Sequence, residues 1–293
     1  MKIDIYAICW NEADLLPFFF AQYDQIASRY FIFDDGSTDG SLDILRQHPK
    51  VTLHRFERKV AESFVLSVQV FQDNIWKQSR GTADWVILTA IDEHLVHADL
   101  RAYLAKATTS GVTAIPAMGF QMISDRFPKP GQDLHDLVHH GAPFRKMNKL
   151  GLFRPDQISE TRFATGRHSA RPIGNVVYPE RDELLNLHFK YLDFERLKRR
   201  HQLLQSGLGP GDNARGFGHR YRFDDAQLRA DWDGFAALAV DLHAPGFQPE
   251  RHHADTRWWR QRPKPEQAPA PAGWLSRLWA HLKLPFGVSG RGQ

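Results

Sequence analysis

Three short apolar runs, each stopped abruptly by polar or acidic residues, constrain this chain more than any other feature. Residues 3–9 run into Trp10-Asn11-Glu12, residues 30–33 into Asp34-Asp35-Gly36-Ser37-Thr38-Asp39, and residues 85–91 into Asp92-Glu93-His94. Runs of this kind suit parallel strands buried on both faces. Between and after them lie helical patterns at 14–27, 40–47, 62–77 and 98–107, and further strand patterns at 51–54 and 112–117. The alternation predicts an α/β fold, a Rossmann-like, mainly parallel sheet with helices on both faces. Open sheets of that type gather ligands at the carboxyl ends of their strands, where all three polar stops fall.

The loop after the second run needs a separate test, because Asp35, Ser37, Asp39 and Gly40 occupy positions one, three, five and six of a calcium loop. Position twelve is Arg46, where such a loop needs a bidentate glutamate. Calcium is therefore excluded and a strand-end carboxylate site remains, with Asp39 or Ser37 placed to cap the helix that starts near Gly40. No G-x-G-x-x-G follows the first strand, since the glycines at 207, 209 and 211 follow a predicted helix; a dinucleotide dehydrogenase is disfavoured. No serine or cysteine hydrolase motif is present.

Composition narrows the class further. With 42% hydrophobic and 25% charged residues in 293, neither a disordered nor a membrane-embedded chain fits. No apolar run approaches the roughly 18 residues of a spanning helix. The opening residues pass directly into a strand pattern without the apolar block of a secretory signal, so the expected location is cytoplasmic. The lone cysteine, Cys9, reads as a core thiol. A formal charge of +4 suits phosphate-bearing ligands or an anionic membrane surface. Basic residues are scattered except at 196–200, a cluster that reads as a solvated helix face, and no nucleic acid partner is expected. The pairs His139-His140 and His252-His253 lack zinc spacing and read as surface residues.

Four segments follow: a domain at 1–207, a helical or irregular extension at 208–260, a Pro/Ala-rich linker at 261–273 and a short amphipathic helix at 274–286. Within the first, residues 121–154 break into Pro, Gly, His and charged residues and predict a long irregular segment, either functional or a surface insertion. A helix at 193–205 is expected to end at Gly207 in the left-handed conformation. In the last segment Trp274, Leu275, Leu278, Trp279 and Leu282 share one helical face, which either packs back on the domain or makes peripheral membrane contact.

Taken in order, Asn11-Glu12-x-x-x-Leu16, D-D-G-S-T-D at 34–39 and the Asp92-Glu93 pair after D-W-V resemble the family 2 glycosyltransferases of the GT-A fold. The resemblance spans roughly residues 1–195, with weaker similarity at Gly166-Arg167-His168 and Leu187-His188-Phe189-Lys190. It implies transfer of a sugar from a nucleotide-sugar donor to a glycan or related acceptor, inverting and metal-assisted. It also implies a donor pocket built from Asn11, Glu12, Asp34, Asp35 and Asp92, with Asp35 accepting from a nucleobase N–H or a ribose hydroxyl. Helix capping is the competing role for Asn11 and Glu12. Asp92, Glu93 and His188 are the implied ligands of Mn²⁺ or Mg²⁺, with His168 second to His188. One departure stands out: Ala90 occupies the place where many relatives carry the first aspartate of D-x-D. The acceptor base stays open among Asp125, Asp133, His135 and Asp136 in the irregular segment. Arg145, Lys146 and Lys149 are either diphosphate contacts or ordinary surface charge. Two alternatives remain: a non-catalytic sugar-nucleotide or glycan-binding protein, motivated by Ala90, and a nucleotidyltransferase, since strand-end carboxylates also serve metal-phosphate chemistry.

Overall fold

The N-terminal strands form because their side chains can be buried on both faces. In the computed structural model, which describes residues 1–129 and 131–261, β1 (Ile3–Cys9) carries six buried residues of seven. It pairs in parallel with β2 (Arg29–Asp34) and with β4 (Trp85–Leu88), and β2 pairs in parallel with β3 (Val51–Arg55). Helix α1 (Leu16–Tyr23) returns the chain from β1 to β2, α2 (Ser41–Gln47) from β2 to β3, and α3 (Phe64–Asn74) leads towards β4. The carboxyl ends of β1, β2 and β4 thus share one edge, as the α/β pattern predicts.

The rest of the sheet is built differently. After β4 the chain makes β5 (Glu93–Val96), α4 (Leu100–Thr109) and β6 (Ala114–Ser124), an 11-residue strand. Short α5 (Leu134–Leu137), β7 (His140–Pro143) and β8 (Lys149–Phe153) follow. A small antiparallel pair, β9 (Ile158–Glu160) and β10 (Ile173–Gly174), precedes β11 (Leu185–Leu192). Then come α6 (Phe194–Ser206), α7 (Pro210–Ala214), α8 (Asp225–Leu238), β12 (Val240–Asp241) and α9 (Pro249–His252). The large sheet runs β12-β7-β6-β8-β4-β1-β2-β3, and β11 lies between β6, in parallel, and β5, antiparallel. The sheet is therefore mixed: β8 is antiparallel to both β4 and β6.

Several expectations are corrected by this half. Residues 121–154 are not one irregular segment, because β8 is fully buried between β4 and β6 and β7 pairs with the second part of β6. Lys149 opens β8, so its buried strand does not read as an apolar run. The predicted strand at 85–91 stops at Leu88, and Glu93 begins a separate strand paired with β11. Helix α6 ends at Gly207 with φ −81, which is right-handed. Glycine is needed there for space instead: a Cβ would meet the Trp10 indole at 2.6 Å.

The 208–260 stretch contains mostly short helices. Asp212, fully buried, accepts from Phe64 N at 2.8 Å and Val65 N at 3.2 Å and also pairs with the Ser63 hydroxyl, so it covers the exposed donors at the start of α3. Ser63 itself accepts from Leu66 N at 3.0 Å. Residues 1–259 form one compact unit. No helix among the described residues is long and apolar enough to cross a membrane. Residues 262–273 of the predicted linker and the helix at 274–286 lie outside the described residues.

Candidate functional site

The three strand-end motifs lead to different outcomes. Asp34 turns inward: its Oδ2 accepts from Gly36 N at 2.9 Å and Ser37 N at 3.0 Å, closing the loop on itself. Asp35 faces Arg58 in a two-point pair, 2.7 Å from Nη2 to Oδ2 and 3.2 Å from Nε to Oδ1. Asn11 adopts φ 53; its Oδ1 accepts from Thr38 N at 2.6 Å, while Asn11 N donates to the Ser37 hydroxyl at 2.8 Å. Glu12 N donates to Ser41 Oγ and Ala13 N to Asp39, both at 2.9 Å. The first two motifs are therefore stitched to one another. Asp39 also accepts from Ser41 N at 3.0 Å, at the first residue of α2, and Ser37 makes no cap hydrogen bond there.

Glu12 reaches further. Its Oε1 pairs closely with Arg200 of α6, and its Oε2 is buried without a hydrogen-bond partner. Burial pushes the Glu12 carboxyl up to about 7 against the pull of Arg200. Arg200 also donates to the carbonyls of Trp10 at 2.7 Å and Asn11 at 3.2 Å, so it fastens α6 to the end of β1. Arg196 pairs with Asp14 and lies 4.6 Å over the Phe127 ring. Reading 196–200 as a solvated helix face is thus corrected for both arginines.

The third motif meets β11 and β6 across the sheet. Strand register places Glu93 opposite His188, and His188 opposite Gln121. Asp92, one residue before β5, has its Oδ2 3.1 Å from His188 Nε2. The Gln121 amide nitrogen donates to the carbonyls of His188 at 2.9 Å and Met122 at 3.2 Å, which leaves its oxygen to accept from His188 Nδ1 at 2.6 Å. The proton on Nδ1 is thereby fixed, and Nε2 is the nitrogen presented to Asp92. A neutral imidazole would face the carboxylate lone pair to lone pair, so the position between them calls for a proton or a cation. Burial pushes the Asp92 carboxyl up, but His188, Arg200 and Lys190 outweigh it and hold it well below the usual range.

Glu93 has a different environment. Its Oε1 pairs with Lys149 and its Oε2 with Arg167 Nη2 at 2.9 Å, all three buried. Arg167 also donates to the Leu88 carbonyl, locking the end of β4. Ligand atoms of Asp92, Glu93 and His188 still lie within 4.8 Å of one another, so this trio has the spacing of a metal centre. The imidazole whose second nitrogen is held by Gln121 fits such a centre, because metal-bound histidines commonly donate the other N–H to an oxygen.

Asp92, Glu93, His188 and Glu12 line a cavity of about 570 Å³. Five cations, Lys146, Lys149, Lys190, Arg200 and Arg220, line it against three carboxylates. Lys190 is held 4.3 Å over the Tyr221 ring. His168 also lines it; its Nδ1 donates to the Lys146 carbonyl at 2.6 Å, leaving Nε2 free of hydrogen bonds. Burial, reinforced by Lys149, lowers His168 to about 4, so the imidazole is neutral near pH 7. Lys149 is a buried partner of Glu93 and Lys146 faces the cavity, whereas Arg145 is exposed away from it.

Asp35, Asp34 and Asn11 do not line this cavity, and neither do Asp125, Asp133, His135 or Asp136. Asp125 and Asp136 are exposed. Asp133 caps α5 by accepting from His135 N at 2.8 Å and Asp136 N at 3.1 Å. His135 is 3.0 Å from the buried His94 and, with Asp133, borders a separate groove beside α1. Arg167, Arg200 and Gln121 were missed in the sequence. Each is positioned by partners far away in the chain, and only the sequence neighbourhood of Arg167 gave a signal.

No family model matches the chain, and no curated protein does. Among solved structures it aligns with TarS of S. aureus residues 1–349 at 12% identity and a TM-score of 0.35, covering 70% of this chain and 65% of that one. For another TarS structure the figures are 12%, 0.35, 79% and 43%, and for TarS 1–349 in complex with UDP they are 10%, 0.35, 69% and 66%. The chain thus spans less than two thirds of the length of each of these structures.

Proposed function

We propose that this chain transfers a glycosyl group from a nucleotide sugar to a hydroxyl-bearing acceptor such as a glycan, with inversion, in the cavity around Asp92. The observation that carries the reading is the Asp92–His188 pair at the strand-end edge, with Gln121 fixing the imidazole so that Nε2 and a carboxylate oxygen converge. The order of the N-E, D-D-G-S-T-D and D-E motifs supports the same reading.

Asp92 and His188, with Glu93 adjacent, are the residues that would hold Mn²⁺ or Mg²⁺; when bound, the cation supplies charge neutralisation for a departing diphosphate. His188 replaces a ligand that Ala90 cannot provide. Lys190, Lys146 and Arg200 add positive charge to the lining of the same cavity. Asp35 and Asn11 bracket the nucleoside end, at the neighbouring strand ends, with Asp34 holding the loop between them. The acceptor oxygen attacks the anomeric carbon as the bond to the diphosphate breaks, and His168 Nε2 takes the acceptor proton. The imidazole is neutral and oriented by the Lys146 carbonyl; with its proton affinity lowered to about 4 it takes the proton late, once the attacking oxygen has begun to bond carbon and become acidic.

The test is calorimetric titration of UDP, GDP and dTDP with and without Mn²⁺, followed by donor turnover. Wild type should bind one of them in a metal-dependent way; Asp92→Ala should lose both binding and turnover, and His168→Ala should keep binding while losing about 10²-fold or more in turnover. Metal-dependent binding with no turnover on any donor would favour a binding protein, and release of pyrophosphate from a nucleoside triphosphate a nucleotidyltransferase. No binding of any of the three sinks the proposal.

A further inference from the structure

A second group of metal-ligating side chains lies away from the cavity, where β12 meets β7. The two strands are antiparallel, with Asp241 opposite His140 and Val240 opposite Gly141. The chain on either side stays zipped, Leu242 N donating to the His139 carbonyl at 2.9 Å. This register brings together two adjacent histidines and a carboxylate a hundred residues later, which is why His139-His140 showed no zinc spacing in the sequence. One ring nitrogen from each histidine and one oxygen of Asp241 lie within 4.8 Å of one another.

The carboxylate is already oriented. Asp241 Oδ1 accepts from His139 Nδ1 at 2.7 Å and from His243 N at 2.8 Å, and its other oxygen takes no hydrogen bond. His140 is exposed and makes no hydrogen bond, and the His243 ring stacks on His139 at 5.0 Å and 12°. From this juxtaposition we propose that His139, His140 and Asp241 bind Zn²⁺ and that the ion clips β12, and with it the end of α8, to the sheet edge at β7. Two imidazoles and one carboxylate suit zinc better than Mg²⁺ or Ca²⁺, which prefer all-oxygen shells. Tetrahedral zinc with bonds of about 2.1 Å places its ligand atoms about 3.4 Å apart. From separations of at most 4.8 Å the groups have to close by little more than an ångström, while the 2.7 Å His139–Asp241 pair opens slightly, both within reach of rotamer changes in half-exposed side chains. Zinc binding at His139 Nδ1 displaces the proton shared with Asp241, which moves to Nε2 of the same neutral ring, and water takes the fourth position.

The experiment uses the untagged full chain carrying Asp92→Ala, so that the cavity contributes no metal site. Zinc titration by calorimetry should give one ion per chain, with no binding heat from Mg²⁺, and zinc should raise the melting temperature. Adding His140→Ala, or separately Asp241→Asn, should weaken zinc binding by about tenfold or more and abolish the thermal shift. Melts without zinc show that each variant is folded, and the two substitutions check one another if either disturbs the strand pair. Zinc binding that survives both substitutions, or no zinc binding in the parent, overturns the proposal.

Discussion

The two acidic pairs, Asp34-Asp35 and Asp92-Glu93, look alike in sequence: each follows an apolar strand and each ends at the same edge of the sheet. The structure gives their members different work. In the first pair Asp34 is spent on two loop amides and Asp35 on Arg58. In the second, Glu93 is spent on Lys149 and Arg167, while Asp92 faces a cavity and a histidine whose tautomer is fixed. A carboxylate at a strand end is thus a weak functional signal by itself. What decides its role is which donors oppose it, and those donors come from other strands.

The largest effect expected from this contrast is on stability. Glu93→Ala leaves Lys149 and Arg167 buried without their carboxylate and should cost about 3–5 kcal/mol. Asp92→Ala, at the preceding residue, removes a carboxylate that His188 holds well below its usual range and should cost less stability than Glu93→Ala, while turnover disappears. Urea unfolding of the two variants side by side decides the matter: equal midpoints would show that Glu93 is no more structural than Asp92 and would break the comparison.

How much of this could be read from the sequence follows the same division. The parallel half was legible because its strands and return helices follow one another directly: β1, α1 and β2 occupy residues 3 to 34 in unbroken succession. The other half was not. Glu93, His188 and Gln121 form a row across three strands, and Asp92 and His188 are 96 residues apart. His188 was reached only through a family resemblance, and nothing in spacing pointed to Gln121. β8 was lost because Lys149, buried as the partner of Glu93, looks like surface charge. Arg200 was misplaced for a similar reason: five basic-rich residues on a helix do not announce which of them turns inward.

The cation surplus beside the second pair gives a smaller, pH-dependent test. His168 is held at about 4, below its ordinary 6.5, first by burial and then by Lys149. Between pH 6.5 and 4 the unfolded chain binds a proton at this position that the folded chain refuses, so its contribution to stability is full above 6.5 and falls as pH drops through that window. His168→Gln should remove about 1.4 kcal/mol per pH unit from the slope of stability against pH there, and leave the slope above pH 7 unchanged. Unfolding free energies at several pH values read this directly. A slope equal to that of wild type would mean that His168 titrates normally and is not buried beside Lys149 as described.

The smallest expected effects lie within the first pair. Asp34→Ala removes the acceptor for Gly36 N and for the buried Ser37 N and should destabilise by about 1–2 kcal/mol. Asp35→Ala breaks a pair whose carboxylate is only 7% exposed but whose arginine keeps 36% of its side chain in solvent, so the arginine left behind stays hydrated and the cost in stability should be about 1 kcal/mol. If Asp35 also meets the nucleoside, the same substitution weakens nucleotide binding by about tenfold, the value of one hydrogen bond to a charged group. Asp34→Ala should then lower stability with little change in affinity, and Asp35→Ala should do the reverse. Finding both effects in one variant would mean that the loop moves as a unit and that the pair cannot be divided into a structural and a binding member. Unchanged affinity in Asp35→Ala would leave Arg58 as the sole business of that carboxylate and confine donor binding to the Asp92 cavity.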